Sequence, residues 1–458
     1  MASRMPGNNM DGWGVGWPAP PPPSLPESIL LTLVRTAAGF WLELAVAAGI
    51  ALAVVEAQDA GLLWLAIVGL SAFVAGVLTW SPTRTLVTRV IHGQSVRRRW
   101  SPAIRAIAIQ SLVGRVPPIM RVRSVPAGEV LDITVPVGST VDDLDLASES
   151  LAVALRLRDV VVERDPDNAA HATVRFVRRD PLANQPPAWR HSMSASLSLW
   201  NPIPVGVDEA GEPVEITLPE RNVLLGGEPG AGKSVALSML VATAALDPSV
   251  HLHLFDGKLV ELATWSRCAD HNVGVSTANA IDVLRELQIE MDDRYLALLS
   301  SRARKVSREG GQPLHVLVVD ELAHYLLAPD RKERQEFAEL LRDLVARGRA
   351  AGLIVLAATQ KPSHDVIPTA LRDLFGFRWA LRCNTPQASD TVLGAGWASL
   401  GYNATDIDSA HRGVGYLLHE GGRPVRLRSH HIDDAALADL AARAERCRHP
   451  YGARNVGR

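Results

Sequence analysis

The stretch Leu-Leu-Gly-Gly-Glu-Pro-Gly-Ala-Gly-Lys-Ser-Val, residues 224–235, decides the fold of this chain. It fits the pattern G-x-x-x-x-G-K-S/T from Gly227 to Ser234 and follows the apolar run Val223–Leu225. We therefore predict a strand, a glycine-rich turn and a helix over Val235–Ala245, which is the arrangement of a phosphate-binding loop. Successive backbone N–H groups of such a turn point at a polyphosphate, and the helix adds the positive end of its dipole.

Each residue of this loop has an expected contact with a bound nucleotide. Lys233 is expected to reach the β- and γ-phosphates, and the Ser234 hydroxyl is expected to bind Mg²⁺. The predicted cofactors are therefore ATP and Mg²⁺. The residues predicted to hold them in the loop are Gly227, Glu228, Pro229, Gly230, Ala231, Gly232, Lys233, Ser234 and Val235.

An apolar stretch that ends in two acids supplies the expected hydrolytic groups. Residues 315–321, His-Val-Leu-Val-Val-Asp-Glu, have the pattern of a buried parallel strand, and ligands bind at the carboxyl ends of such strands. Asp320 is placed to hold the Mg²⁺ ion, and Glu321 to orient and deprotonate the attacking water. The alternative is a buried strand that ends in surface acids, but the phosphate loop favours the catalytic interpretation.

Polar residues near a third strand complete the predicted site. Gln360 follows the strand Leu353–Ala358 and is expected to sense the γ-phosphate or to position water. The candidate arginine fingers for a neighbouring subunit's nucleotide are Arg349, Arg378 and Arg382. Taken singly, each of these is more often a solvated arginine.

The length of 458 residues is compatible with two or three domains. The formal net charge is −2, and because lysine is rare, arginine carries nearly all the positive charge. Cys268, Cys383 and Cys447 lie far apart without a C-x-x-C pair, which favours neither a zinc site nor a disulfide framework. The histidines without partners at metal-ligand spacing, interpreted as strand or surface residues, are His251, His253, His430 and His431.

The beginning of the chain predicts a membrane anchor. Residues 1–27 form a Pro/Gly-rich tail in which we expect disorder. Residues 28–82 contain two apolar runs, Thr36–Val55 and Gly61–Trp80, each close to the roughly 20 residues that cross a bilayer as a helix. Arginines flank the pair and acids lie in the short link, so both ends are expected in the cytoplasm. A buried hairpin of a soluble domain is the alternative, and Glu43 within the first run favours it.

The remaining chain predicts an α/β motor preceded by a small α+β domain. Residues 83–200 contain a predicted helix at 141–157 and short strands at 119–122, 130–135, 160–163 and 172–177. Residues 201–432 open with an alternating run that turns at 208–211 and leads into the phosphate-loop strand. Later strands are predicted at 252–255, 316–319, 353–358 and 378–382. They alternate with helical patterns, which indicates a mostly parallel, helix-covered sheet, and residues 433–458 are expected to form a C-terminal tail.

Taken in order, these motifs resemble the FtsK/SpoIIIE family of membrane-anchored DNA translocases, and most of all the TraB-type transfer proteins of actinomycete conjugative elements. The resemblance covers about residues 115–432. Besides the phosphate loop and the strand ending at Glu321, it is carried by Phe255-Asp256-Gly257-Lys258 with Glu261, Glu290-Met291-Asp292-Asp293-Arg294-Tyr295, Arg349-Ala350-Ala351-Gly352, Ala358-Thr359-Gln360-Lys361-Pro362 and Arg412-Gly413-Val414-Gly415-Tyr416-Leu417. Gly257 departs from the family pattern, in which proline is usual.

The resemblance implies a RecA-like motor that assembles as a homo-hexamer and moves double-stranded DNA through its pore by ATP hydrolysis. It assigns Lys233 and Ser234 to phosphate and Mg²⁺, Asp320 and Glu321 to hydrolysis, and Gln360 to sensing. It also implies a two-pass protein of the cell membrane with a cytoplasmic motor, acting in conjugative transfer or chromosome segregation. We expect no winged-helix module of the kind that reads oriented DNA sequences after the motor, and we therefore expect sequence recognition to be lacking or delegated to a partner.

Two other functions fit parts of the pattern. One is an ATPase that powers protein secretion of the type VII kind, although those chains usually carry several motor modules and this one has a single phosphate loop. The other is a membrane-bound regulator that uses ATP as a switch. A basic run of Arg302, Arg304, Lys305 and Arg308 either faces DNA in a pore or forms a solvated loop.

Overall fold

The computed structural model describes residues 81–107, 115–183, 185–189 and 197–448, together with the single positions 49, 55 and 68. The predicted tail 1–27 and, apart from those single positions, the apolar runs Thr36–Val55 and Gly61–Trp80 lie outside the described residues. Within the part described, no helix combines the length and apolar character needed to cross a bilayer. The transmembrane hairpin therefore stays a prediction.

Two compact units divide the described chain, and the first holds a long helix. It contains the described residues up to 123 together with 134–140. Helix α1 (Ser81–Ala106) is followed by strand β1 (Ile119–Val125). The Nε1 group of buried Trp100 donates to the carbonyl of Pro117 at 2.7 Å, and Nη1 of Arg97 donates to the carbonyl of Ile119 at 2.7 Å. Two long side chains therefore fasten the helix to the segment that follows it.

The second unit, residues 124–133 and 141–458, opens with a small α+β region. Its elements are β2 (Gly128–Thr134), α2 (Val141–Leu146), α3 (Ser148–Leu155), β3 (Asp159–Arg164) and β4 (His171–Val177). The strands adjoin in the order β2-β4-β3, with β3 and β4 antiparallel. The buried side chains of this region include Leu131, Leu151 and Phe176, so it has an apolar core of its own.

The structure differs from the sequence prediction in one helix of this region. The predicted helix at 141–157 is two helices, because Ala147 leaves the helical path with φ −94° and ψ 5°. Aspartate and serine residues surround this point, and their side chains compete for backbone hydrogen bonds and favour helix ends over helix interiors. The second helix ends where Arg156 adopts a left-handed conformation, φ 55°.

A ten-stranded sheet with helices on both faces forms the rest of the second unit. Its strands and helices, in chain order, are β5 (Ile203–Asp208), β6 (Pro213–Ile216), β7 (Val223–Gly226), α4 (Lys233–Ala245), β8 (Val250–Phe255), β9 (His271–Val273), α5 (Thr277–Ser301), β10 (Leu314–Val319), α6 (Leu322–Leu326), α7 (Arg331–Arg347), β11 (Leu353–Thr359), α8 (Thr369–Arg372), β12 (Phe377–Leu381), α9 (Pro386–Leu393), β13 (Val414–His419), β14 (Val425–Ser429) and α10 (Asp434–Arg448). The sheet order is β6-β5-β14-β13-β12-β7-β11-β10-β8-β9.

The parallel part of this sheet brings distant segments of sequence to one edge. Strands β12, β7, β11, β10, β8 and β9 pair in parallel, and the register sets Gly226 beside Thr359 and Val319 beside Phe255. The segments that leave β7, β11, β10 and β8 therefore emerge side by side. The remaining pairings, from β12 through β13, β14 and β5 to β6, are antiparallel.

Alternating residues of the central strands pack against two separate layers of helices. Val316 and Val318 of β10 lie in a core with α4, while Leu317 and Val319 lie in a core with α5 and α7. Strands buried on both faces have continuous apolar runs, which is why β7, β10 and β11 contain almost no polar residues. The predicted α/β class is confirmed, and the largely parallel sheet between helix layers matches the sheet expected of a RecA-like P-loop domain.

The last helix belongs to the motor. Leu440, Ala441 and Ala444 of α10 are buried in the same core as α4. The guanidinium of Arg448 donates to the carbonyl of Ala245 at 2.8 Å, which ties the end of α10 to the end of the phosphate-loop helix. The motor therefore continues beyond residue 432 through α10, where the sequence had suggested a tail from 433.

Candidate nucleotide site

The phosphate loop joins β7 to α4 and has the backbone conformation that its glycines permit. Gly230 and Gly232 have φ values of 80° and 103°, which side-chain-bearing residues rarely adopt. A Cβ atom added to Gly232 would lie 2.7 Å from the backbone nitrogen of Gly413. That nitrogen donates to the carbonyl of Ala231 at 2.9 Å, so the turn before β13 is clamped onto the loop.

Lys233 begins helix α4 and points to the neighbouring strand. Its side chain is 3% exposed, and Nζ lies 3.1 Å from the carbonyl oxygen and 3.4 Å from Oδ1 of Asp320. Ser234 and Val235 follow in the first turn and line the same cavity. The N-terminal end of a 13-residue helix thus opens onto the loop, with free backbone N–H groups suited to an anion.

Asp320 follows β10 and is fully buried. Burial raises the pKa of its carboxyl group, while the ammonium groups of Lys233 and Lys258 oppose that rise. Its Oδ2 atom has no hydrogen-bond partner among the described residues. A buried carboxylate oxygen in this position, beside Lys233 of the loop, fits Mg²⁺, which is usually held by one or two carboxylates together with substrate phosphates.

Glu321 is held by the end of the adjacent strand β11. Its Oε1 atom accepts a hydrogen bond from the Thr359 hydroxyl at 2.7 Å, and both of its oxygens lie 3.2 Å from the backbone nitrogen of Gln360. The Gln360 side chain lines the cavity of the phosphate loop. The structure therefore brings the predicted base and the predicted sensing residue next to each other.

Lys258 lies in one of the motif blocks that carry the family resemblance, but no role in the site was predicted for it. It follows β8, and its Nζ lies 3.7 Å from Oδ2 of Asp320 and 3.6 Å from Oε2 of Glu321. These distances are too long for hydrogen bonds, so the interaction is an ion pair. Two lysines thus neutralise the two acids, one from the phosphate loop and one from the neighbouring strand.

The three candidate arginine fingers lie in different places. Arg382 is beside the loop, where its guanidinium pairs with Glu228 at 2.5 Å. Arg349 donates to the carbonyl of Glu220 at 2.7 Å and pairs with Glu420, and both partners lie at the opposite end of the parallel strands. Arg378 in β12 pairs with Asp373 at 3.3 Å. The structure thus does not bring Arg349 or Arg378 to the loop of their own chain.

A cavity of about 410 Å³ extends from the loop to residues that the sequence had not suggested. Besides the loop residues and Gln360, its lining includes Pro186, Arg412, His430 and His431. Pro186 is far in sequence from the other three, and the bridge between Ala188 and His431 brings its segment to them. Only the block that begins at Arg412 gave a signal in the sequence, and it indicated a turn and a strand.

The histidines His251 and His253 lie in strand β8, as the sequence interpretation expected, and contact side chains of the neighbouring strands and of Asp270. His253 contacts His271 through their Nδ1 atoms at 2.9 Å and His315 at 3.1 Å, and His251 pairs with Asp270 at 3.1 Å. Burial, with repulsion from His271, lowers the pKa of His253 to about 4. Among the described residues no group of three or more His, Cys, Asp and Glu side chains is arranged to hold a metal ion.

Comparison with known proteins shows which family the sequence resembles. Residues 188–316 match the sequence profile of the FtsK/SpoIIIE family. The DNA translocase FtsK of Staphylococcus epidermidis is 28% identical over 215 residues, which are 42% of this chain and 26% of that protein. The DNA translocase SftA of Bacillus subtilis is 29% identical over 255 residues, 51% of this chain and 25% of that protein. The chain therefore spans about a quarter of the length of these curated relatives.

A solved structure is similar to most of this fold. The pCW3 conjugation coupling protein TcpA, in its monomer form with ATPγS, has a TM-score of 0.50 and 16% sequence identity. The match covers 75% of this chain and 98% of that one, and at such low identity it concerns the fold alone. With the loop, the acid pair and the sheet order in place, the chain has the features of a P-loop ATPase, and its residues 188–316 are similar to the FtsK/SpoIIIE family.

Proposed function

We propose that this protein is an ATP-driven translocase of double-stranded DNA. The observation that carries the proposal is the meeting of Lys233, Asp320 and Glu321 at one edge of the parallel sheet in a chain similar to this family. The relatives reported above are named DNA translocases, and the matched region includes the phosphate loop. Motion along a polymer needs repeated hydrolysis, for which the site offers both a base and a metal-binding acid.

The residues of the site have different roles in hydrolysis. Lys233 and the backbone of the loop bind the β- and γ-phosphates, and Ser234 with Asp320 would hold Mg²⁺, which neutralises phosphate charge. Glu321, fixed by Thr359 and the backbone of Gln360, takes the proton of the attacking water. The ion pair with Lys258 holds the carboxylate of Glu321 in place before the reaction.

We further infer a membrane-anchored homo-hexamer with a cytoplasmic motor. The two apolar runs, Thr36–Val55 and Gly61–Trp80, support the anchor, and the resemblance of the motif order to hexameric translocases supports the ring. The likeness to TraB-type transfer proteins supports a role in conjugative transfer. Extraction of the full chain by detergent, but not by alkaline carbonate, is the result expected of a membrane-spanning protein. Release by carbonate would refute the anchor.

Stimulation of ATP hydrolysis by DNA is the test of the proposed function. The full chain, purified in detergent, should hydrolyse ATP several-fold faster when long duplex DNA is added at low salt. Lys233→Ala should abolish both the basal and the stimulated rate. No stimulation by DNA together with stimulation by a secretion-signal peptide would instead favour a protein-secreting ATPase, and a Glu321→Gln variant that still functions in cells would favour an ATP-binding switch.

A further inference from the structure

The cavity above the phosphate loop has a second wall that a triphosphate alone does not require. Its lining combines the loop residues Lys233 and Ser234 with Pro186, Arg412 and His431, which come from other segments. The cavity volume of about 410 Å³ lies in the usual range for small-ligand sites. The following inference rests on the proposed binding of ATP.

The positions of the acids fix the direction in which a nucleotide lies. Asp320 and Glu321 mark the end where the metal and the γ-phosphate belong, beside Lys233 and Gln360. The phosphate chain then runs along the loop toward Ser234 and Val235, away from the acids. The cavity lining left for the nucleoside end lies outside the loop and includes Arg412 and His431.

Backbone hydrogen bonds hold this wall in shape. The nitrogen of His431 donates to the carbonyl of Pro187 at 2.9 Å, and the nitrogen of Trp189 donates to the carbonyl of His431 at 3.2 Å. The nitrogen of Ser429 donates to the carbonyl of Gly413 at 2.8 Å, and Gly413 is itself bonded to the phosphate loop. The segments that carry Pro186, Arg412 and His431 are thus linked to each other and to the loop, so their spacing is set before a ligand arrives.

The chemistry of the wall suits a flat heteroaromatic ring. Pro186 and His431 present flat ring surfaces, the His431 side chain is exposed, and Arg412 is an exposed cation without an ion-pair partner among the described residues. We propose that this wall is the nucleoside-binding half of the site, with the base stacked on His431 and Pro186 and with Arg412 beside the α-phosphate. Because stacking grows with ring area and tolerates different bases, the wall should favour purine over pyrimidine nucleotides.

Calorimetric titration with ATP, CTP and inorganic tripolyphosphate separates the two halves of the site. The unaltered full chain should bind ATP more tightly than CTP, and CTP more tightly than tripolyphosphate. His431→Ala should weaken ATP binding roughly tenfold and leave tripolyphosphate binding unchanged, because one stacking partner is lost. His431→Trp, which restores a flat surface, should recover the preference for ATP over tripolyphosphate.

The matched control is His419→Ala, which removes an exposed histidine at the far end of strand β13 and should change none of these affinities. Melting temperatures of all variants verify that the fold is intact. Equal affinity of the unaltered chain for ATP and tripolyphosphate, or an unchanged ratio in His431→Ala, would overturn the nucleoside wall. Failure of the unaltered chain to bind either ligand would instead refute the proposed ATP site.

Discussion

Besides its ion pair with Lys258, Glu321 is held by two donors that do not depend on its charge. The Thr359 hydroxyl and the Gln360 backbone nitrogen would donate equally well to the oxygen of an amide. Glu321→Gln should therefore keep the geometry of the site and remove only the group that accepts a proton. We expect nearly unchanged ATP affinity and a fall in turnover of about 100-fold or more, measured by calorimetry and by phosphate release.

Lys233→Ala should give the opposite pattern, because the lysine contacts the phosphates themselves. Its ATP affinity should be lost, and its hydrolysis with it. Glu212→Gln, in the exposed turn between β5 and β6, is the matched control and should behave as the unaltered chain. If Glu321→Gln hydrolysed ATP at the normal rate, Glu321 would not be the base.

The site residues that could be located from the sequence alone are those that lie next to one another in the chain. The phosphate loop and the pair Asp320-Glu321 are contiguous, so spacing alone could indicate them. Lys258 and Arg412 act through space, and their positions depend on which strands become neighbours. Lys258 meets the acids because β8 pairs with β10, and Arg412 meets the loop because Gly413 packs on Gly232. Neither pairing is encoded in a local pattern.

Among the elements, the central strands were predictable and the closing helix was not. Strands β8, β10, β11 and β12 overlap their predicted ranges because each is a long apolar run. Helix α10 is rich in alanine and arginine, and Leu437 and Leu440 are its only large apolar residues. Its small residues pack closely on α4, but small residues occur in tails as readily as in tight helix contacts. Apolar periodicity therefore could not place it.

The edge of the sheet at β8, β9 and β10 should make stability depend on pH. His253 is 3% exposed, and burial lowers its pKa to about 4, below the usual 6.5. Burial and the nearby Arg294 lower the pKa of His315 as well. Below pH 6.5 these side chains bind protons in the unfolded chain but stay neutral in the folded protein. The free energy of unfolding therefore falls as pH decreases toward 4. For His253 alone, the loss between pH 7.5 and pH 5 should be roughly 2 kcal/mol.

Denaturant titrations at pH 7.5 and pH 5 measure this loss. His253→Gln keeps a hydrogen-bonding side chain without a proton to bind in this range, so the variant should lose less stability than the unaltered chain on acidification. Other groups near the cluster also titrate or carry charge, namely His251, His271, Asp270, Glu286, Glu290 and Arg294. Since they are present in both proteins, the difference isolates His253. Equal losses in both would contradict the assignment.

In the molecule as a whole, the nucleotide site and the basic run lie at opposite ends of the parallel strands. The nucleotide site lies at their carboxyl ends, while residues 302–313 lead from α5 into the amino end of β10. Within the basic run, Lys305 pairs with Glu220 at 2.5 Å, and Arg308 donates to the side chain of Asn201 at 3.2 Å. Arg302 and Arg304 are exposed and have no ion-pair partner among the described residues, so they are the cations available to a phosphate backbone.

Replacing both free arginines should weaken DNA binding without changing the chemistry of hydrolysis. In the variant with Arg302→Gln and Arg304→Gln, we expect unchanged basal ATP hydrolysis and weaker stimulation by duplex DNA. The slope of log affinity against log salt should fall by about 1.8, because each lost phosphate contact removes about 0.9. Arg331→Gln with Arg342→Gln removes two exposed arginines of α7 and is the matched control. An unchanged salt slope in the first variant would mean that the basic run is a solvated loop and that DNA follows another path across the motor.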